Sequence, residues 1–298
     1  GVIPETGYEK STLRLNGEQR YGNLELDINV AYSVAKTKKT LTTSGLYNGG
    51  GNGIMTALYG WSRSENTTMW LNDDGTKYLM FPHLPLESQV ENPYWIVNMD
   101  DMTERNERIT GSATLSYKFA EWVDLSFRMG VDSYINEART YIAPGASAKK
   151  IYQNGRLSIS DTKYNYINTN LMLNLFKVWG YFEVSGILGF STDDSKYKSQ
   201  AHWGYNFQVP GTVSFDNIIL EEKFFDHSVN NKRLVGVYGE ARASWKNMLY
   251  LTVTGRNDWT STLPVENRSY FYPSVSASFV FTELFKGSNL LSFGKIRG

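Results

Sequence analysis

The sequence predicts an all-β chain: an antiparallel meander of about ten long strands forming part of a transmembrane β-barrel. Three observations predict it. Apolar side chains recur at every second position over unusually long stretches, those stretches are joined alternately by short turns and long polar loops, and the intervening positions carry charge of both signs. Bulk properties agree. The 298 residues hold 30 Lys+Arg against 30 Asp+Glu, so there is no basic field to attract nucleic acid. An aromatic content of 14% and an apolar content of 41% exclude a disordered chain. Cysteine is absent, which removes disulfides, thiolate metal sites and cysteine nucleophiles. Mean hydropathy is −0.39 and no apolar run reaches the roughly 18 residues of a membrane helix. A membrane barrel stays open, because its strands are apolar on one face only.

Taken in order, the strands are expected at 11–20, 24–37, 106–119, 122–137, 163–177, 180–192, 233–246, 248–261, 270–282 and 290–297. In the second, Leu24, Leu26, Ile28, Val30, Tyr32 and Val34 alternate with Glu25, Asp27, Asn29, Ala31 and Ser33. In the third, Ile109, Ala113, Leu115, Tyr117 and Phe119 alternate with Thr110, Ser112, Thr114, Ser116 and Lys118. In the fourth, Val123, Leu125, Phe127, Met129 and Val131 oppose Asp124, Ser126, Arg128 and Asp132. Ile167, Leu171, Leu173 and Leu175 against Asn168, Asn170 and Asn174 define the fifth. Val235, Val237, Ala241, Ala243 and Trp245 define the seventh, Leu249, Leu251 and Val253 the eighth, and Val275, Ala277, Phe279 and Phe281 the ninth. This is a period of two, not of 3.6. Strands in soluble proteins cluster near about 5–6 residues, whereas a tilted strand needs roughly 9–11 to cross a bilayer core.

The connections sort into two kinds. Short turns are expected at Tyr21-Gly22-Asn23, Ala120-Glu121, Val178-Trp179, Asn247 and 283–289. Long loops are expected at 38–105, 138–162 and 193–232, with a shorter one at 262–269. Alternate connections of a meander fall on opposite rims, so one rim carries turns and the other loops, the pattern of outer-membrane barrels. Tyr21, Phe119, Trp122, Phe176, Trp179, Trp245 and Tyr250 gather beside the turns, as an interfacial aromatic girdle would. Arg14, Glu18, Glu25, Asp27, Asp124, Arg128, Asp132, Glu183, Glu240, Arg242, Arg256 and Asp258 fall on the opposite face, which is tolerable in a membrane only toward a polar lumen.

No motif carries catalysis. The run Leu46–Gly53 lacks the Lys-Ser/Thr of a phosphate loop. His83, His202 and His227 are isolated from one another, without metal-ligand spacing. The carboxylate pairs Asp73-Asp74, Asp100-Asp101, Asp193-Asp194 and Glu221-Glu222 are neighbours in sequence, which says nothing of the separation a glycosidase needs. The chain is therefore expected to be no enzyme, with no catalytic residue, cofactor or metal. The loops instead hold large rings among polar residues: Trp61, Trp70, Tyr94, Trp95, Trp203, Tyr205 and Phe207. Such rings suit contact with a sugar, a peptide or a partner surface, and they equally suit packing loops together. Met55–Trp61 reads as one short helix within the first long loop.

Specific strings then add a resemblance. Val253-Thr254-Gly255-Arg256-Asn257-Asp258-Trp259-Thr260-Ser261, followed by Tyr270-Phe271-Tyr272-Pro273-Ser274-Val275-Ser276-Ala277-Ser278, resembles a hallmark of the SusC/RagA family of TonB-linked outer-membrane transporters. Arg256, Asp258, Pro273 and Ser274 are its motif positions. Asn92–Asn98, Phe127–Tyr134 and Gly294–Gly298 resemble further strings of the same family. The resemblance implies a 22-stranded barrel with an N-terminal plug, a SusD-like surface lipoprotein as partner, and import of glycans or peptides using energy relayed by TonB. It places the protein in the outer membrane of a Gram-negative, Bacteroidetes-like cell. Gly1–Glu5 has no signal-peptide pattern, and 290–298 stops in mid-pattern. The expectation is that 1–298 is a partial barrel domain, with plug, signal peptide and C-terminal strands absent. The alternative from another class is a surface or soluble β-domain that binds glycans without transporting them.

Overall fold

The computed structural model describes residues 3–40, 53–147, 152–285 and 293–298. They form one ten-stranded antiparallel sheet whose spatial order follows the chain. Its strands are β1 (Gly7–Tyr21), β2 (Leu24–Lys39), β3 (Asp101–Ala120), β4 (Val123–Ile142), β5 (Arg156–Trp179), β6 (Phe182–Tyr205), β7 (Lys223–Trp245), β8 (Leu249–Thr260), β9 (Ser269–Val280) and β10 (Lys295–Arg297). Two short helices, α1 (Ile54–Gly60) and α2 (Pro93–Met99), lie between β2 and β3. The meander expected from the sequence is thus the architecture observed.

Register puts every apolar alternation on one face. One row runs Leu26, Leu115, Phe127, Leu171, Phe190, Val237 across six strands. The next row on the other face runs Glu18, Asp27, Thr114, Arg128, Asn170, Ser191, Gly236, Asp258. Exposure is inverted relative to a soluble fold. Leu188 is 58% and Leu171 41% exposed, whereas Ser126 and Ser191 on the polar face are 6% and 7% exposed. An apolar face left outside and a polar face turned inward is the arrangement of a wall between lipid and a wet lumen.

The apolar face has a limited height. It covers 24–34 of β2, 109–119 of β3, 123–131 of β4, 167–175 of β5 and 235–245 of β7, roughly the 9–11 residues that span a hydrocarbon core. Beyond it, toward the long loops, the same face carries Arg105, Glu107, Glu137, Arg139, Asp161, Lys163, Lys196, Lys198 and Arg233. The ladders continue regardless, because backbone pairing needs no apolar side chain. β5 and β6 reach 24 residues each. The loops expected at 38–105, 138–162 and 193–232 are therefore shorter than the sequence suggested, since their flanks are strand.

The short-turn rim holds with local corrections. Gly22 and Gly180, each at φ 58°, take the first central position of two-residue hairpins, where glycine bears a left-handed backbone without a Cβ clash. The turn expected at Val178-Trp179 is thus Gly180-Tyr181, and the sixth strand starts at Phe182. Glycine's backbone freedom outweighed the aromatic pair. Lys246 and Asn247 turn with φ of 51° and 53°, closed by the Met248 amide donating to the Trp245 carbonyl at 2.9 Å. Residues 281–285 form a 3-10 turn and the last strand begins at Lys295; the rest of the expected 283–289 turn, and 290–292, lie outside the described residues, as does 46–52 of the glycine run. Tyr21, Phe119, Trp122, Trp179 and Trp245 stand at this rim on or beside the apolar side. Phe176 and Tyr250 sit at the same rim, but register puts them on the polar face, opposite Ser185 and Ser244.

Candidate functional site

The long-loop rim collects the rings that the sequence singled out. Between β2 and β3 the chain folds into a small unit around Ile54, Ala57, Ile96 and Val97, with Tyr94 packed against it. The helix expected at Met55–Trp61 is α1. The second helix was not foreseen, although its signal is plain: Asn92 caps it, the Oδ1 atom accepting from the Tyr94 amide at 2.8 Å, and Pro93 holds the first turn, where a missing N–H costs nothing. Trp95 meets Trp70 edge-on at 6.2 Å, and Trp61 lies 6.4 Å from Tyr78. Trp61 and Trp95 are buried, while Trp70 and Tyr94 stay half-buried.

A buried charge pair ties this unit to the β4–β5 connection. Lys77 Nζ lies 2.7 Å from Glu91 Oε1, donates to the Gly145 carbonyl at 2.7 Å and to Ser147 Oγ at 2.9 Å, and stands 4.4 Å above the Trp95 ring. Glu91 in turn accepts from the Ser147 amide. The Lys77 ammonium and both Glu91 oxygens have hydrogen-bond partners, which is what makes an ion pair tolerable out of water. Burial holds the Lys77 ammonium below its ordinary range, partly offset by Glu91. Asp100, which caps the end of α2 and accepts from the Ala143 amide at 2.9 Å, is pushed up to about 7, chiefly by burial.

The other three rings are strand-borne or strand-flanking. Trp203 and Tyr205 were expected in a loop, but they belong to the end of β6; pairing with Phe224 and Arg156 on the neighbouring strands extends the ladder that far. Trp203 stacks on Phe224 at 5.9 Å, Tyr205 on Tyr152 at 5.6 Å, and the Arg156 guanidinium lies 5.8 Å from both tyrosine rings. Phe207 packs 5.9 Å from Tyr141 and covers Gly155. Two groups of rings result, Trp61-Trp70-Tyr94-Trp95 and Trp203-Tyr205-Phe207, linked where Lys77 holds Gly145 and Ser147, the Gly145 amide donates to the Gln153 carbonyl, and Tyr152 stacks on Tyr205.

Lower on the polar face, the Arg-x-Asp string forms a local network. Arg256 Nε donates to both Asp258 oxygens at 2.7 and 2.9 Å, and Nη2 reaches Ser191 Oγ at 3.1 Å. The guanidinium lies 5.4 Å over Tyr238, whose hydroxyl donates to Asn170 at 2.7 Å and whose ring covers Gly189. The i, i+2 spacing puts both charges on one face, so the string spans β5 to β8 on the inner wall. Pro273 lies on the apolar face opposite Gly255, and Ser274 on the polar face opposite Thr254. Among the described residues, no three His, Asp or Glu side chains stand together as a metal site would require. Asp73 and Asp74 lie in an exposed turn, where Thr76 donating to Asp74 holds its carboxyl below the usual range.

No protein-family model matches the chain, and no curated protein does. Solved structures share its fold. The RagAB peptide transporter superposes with a TM-score of 0.78 over 98% of this chain, at 15% identity. The open-open state of the RagAB peptide importer gives 0.75 at 14% identity, again over 98%. The ferric preacinetobactin receptor BauA from Acinetobacter baumannii gives 0.51 at 8% identity over 94% of this chain and 38% of its own. The chain spans about a third of the RagAB transporter chains, 32% in each. Over that length its ten-stranded antiparallel meander shares the fold of part of these transporter and receptor chains.

Proposed function

We propose that residues 1–298 are a partial barrel domain of a TonB-dependent importer in the outer membrane of a Gram-negative, Bacteroidetes-like cell. The observation that carries the reading is the inverted sheet: an exposed apolar band of bilayer height backed by a charged, half-buried inner face. Transport rather than chemistry is its role, and plug, signal peptide and closing strands belong to the rest of the protein. Oligosaccharides or peptides are the substrates, a SusD-like surface lipoprotein the partner, and the TonB complex the energy source through the plug. Trp70, Tyr94, Trp203, Tyr205 and Phe207 offer half-exposed rings to substrate or lipoprotein. Trp61 and Trp95 support them from beneath. The resemblance of the Arg256–Asp258 and Pro273–Ser274 strings, and the RagAB superposition, support the same reading.

The test is made on the intact protein. Detergent-phase partition together with uptake of a labelled oligosaccharide or peptide that stops when TonB is deleted is the expected result. A protein that stays in the aqueous phase and still binds glycans would establish the non-transporting alternative instead.

A further inference from the structure

Arg156 stands at the long-loop end of β5, on the polar face. Its pairing with β4 and β6 runs unbroken down to Asn170, and an even number of steps along a strand keeps the face. Three arginines are half-buried among the described residues. Arg139 is paired with Asp101 and Arg256 with Asp258, whereas Arg156 has neither an ion pair nor a hydrogen bond among those residues. Its Nε is closed off without a partner, while the two terminal nitrogens, equally unpartnered, stay accessible. Tyr152 and Tyr205, whose ring centres each lie 5.8 Å from the guanidinium, steady it by cation–π attraction but accept none of its N–H groups. A guanidinium withdrawn from water without an acceptor is a cost to the fold.

The chain supplies no carboxylate there. The row across the sheet at this height is Ile142, Arg156 and Tyr205, and the next row down is Thr140, Ser158, Trp203 and Phe224. Asp226 comes one row lower still, on β7, and neither it nor Glu222, just before that strand, forms an ion pair among the described residues. Glu87 accepts from Gln153 at 2.9 Å, Glu91 is spent on Lys77 and Ser147, and Asp100 on the Ala143 amide. Stretches 1–2, 41–52, 148–151 and 286–292, outside the described residues, contain no Asp or Glu. The anion must come from outside residues 1–298. We propose that Arg156, set against Tyr152 and Tyr205, binds a carboxylate carried on the imported substrate, the terminus of a peptide or the acid group of a sugar. The two terminal nitrogens offer parallel N–H donors that match the two carboxylate oxygens. Beside them the stacked Trp203 and Phe224 rings, the latter 43% exposed, give apolar surface to the unit that bears the carboxylate. The proposal rests on the importer reading above, in which this face lines the lumen.

The intact protein in mild detergent is titrated with two matched pairs of probes. One is a pool of octapeptides lacking Asp and Glu, with the C-terminus free or amidated; the other is oligogalacturonides, free or methyl-esterified. Wild type should bind the charged member of at least one pair about tenfold more tightly, the worth of a charge-assisted hydrogen-bonded pair, and the preference should weaken with salt. The pair that shows it identifies the source of the carboxylate. R156Q should lose the preference and bind the uncharged members as wild type does, while K163Q, on the other face, keeps it. Ser158→Asp retains the arginine but recreates the spacing of the Arg256–Asp258 pair, and should suppress the preference by filling the site from within. No preference in wild type, or one that survives in R156Q, overturns the site. So does an R156Q variant that merely releases the lipoprotein, because the anion is then the partner's. TonB-dependent uptake by the same wild-type protein leaves the importer reading standing in each of those cases. A protein that neither partitions into detergent nor imports overturns both.

Discussion

Gly236 and Asp258 are register partners on β7 and β8, and the Asp258 carboxylate fills the space above the glycine. A Cβ at 236 would come within 2.5 Å of both Asp258 Oδ1 and Arg256 Nη2. The glycine is thus the floor on which the Arg-x-Asp pair lies. Gly236→Ala should push the pair off Ser191 and destabilise the barrel by about 1–3 kcal/mol. Ser191→Ala, which removes one hydrogen bond, should cost about 1 kcal/mol. Denaturant midpoints of the intact protein in detergent order the two, and a Gly236→Ala variant as stable as wild type would show that the pair is not held there.

Alternation along β4 sets a second outcome. Leu125 lies in the apolar row with Tyr117 and Leu173, while Arg128 pairs with Thr114 and Asn170 on the inner face. Leu125→Arg should destabilise by about 2–4 kcal/mol near the bilayer midplane, falling toward zero near an interface. Spin labels along 123–132 should show accessibility to a lipid-soluble quencher with period two.

The Lys77–Glu91 pair should behave as a buried pair, since its side chains are only 10% and 5% exposed. Lys77→Met leaves Glu91 charged and unmatched, at a cost of about 3–5 kcal/mol to docking of the 53–100 unit. Lys77→Met with Glu91→Leu should cost much less. Hydrogen exchange at the Ser147 amide, which donates to Glu91, reads the docking directly in a double-variant cycle.

Asp100 makes that docking pH-dependent. Its folded pKa of about 7 lies above the usual value near 3.9, so the folded loop binds the proton more tightly than the unfolded one. Its stabilisation is complete below about pH 4 and lost as pH rises through 7. Exchange protection of the Ala143 amide should fall between about pH 4 and 7 and level off above that, and Asp100→Asn should flatten the profile. A wild-type profile that stays flat over that range removes Asp100 as the cause.

Among the described residues, β1 and β10 each pair with one neighbour and not with each other, so the sheet has two unsatisfied strand edges. In lipid each unpaired backbone group costs several kcal/mol. Refolded alone in detergent, this chain should aggregate and give no stable single-channel steps in planar bilayers. A monomeric, heat-modifiable band with steady conductance would show a closed ten-stranded pore instead.

The sequence by itself determined the all-β class, the ten-strand count, the two unlike rims and which side chains share a face. Each follows from period two, since a side chain's face is decided by its parity alone. It also carried the Asn92-Pro93 helix start, a local signal that needed no partner strand. Tertiary structure decided where the strands end. Beyond the apolar band the alternation stops while the backbone ladder goes on, so Trp203 and Tyr205 join β6 through pairing with residues on the neighbouring strands. It likewise decided that Lys77, Glu91 and Asp100 are buried against Gly145, Ser147 and Ala143. Nothing local to those residues marks them as core, because their burial comes from a connection that reaches them only when β4 and β5 pair.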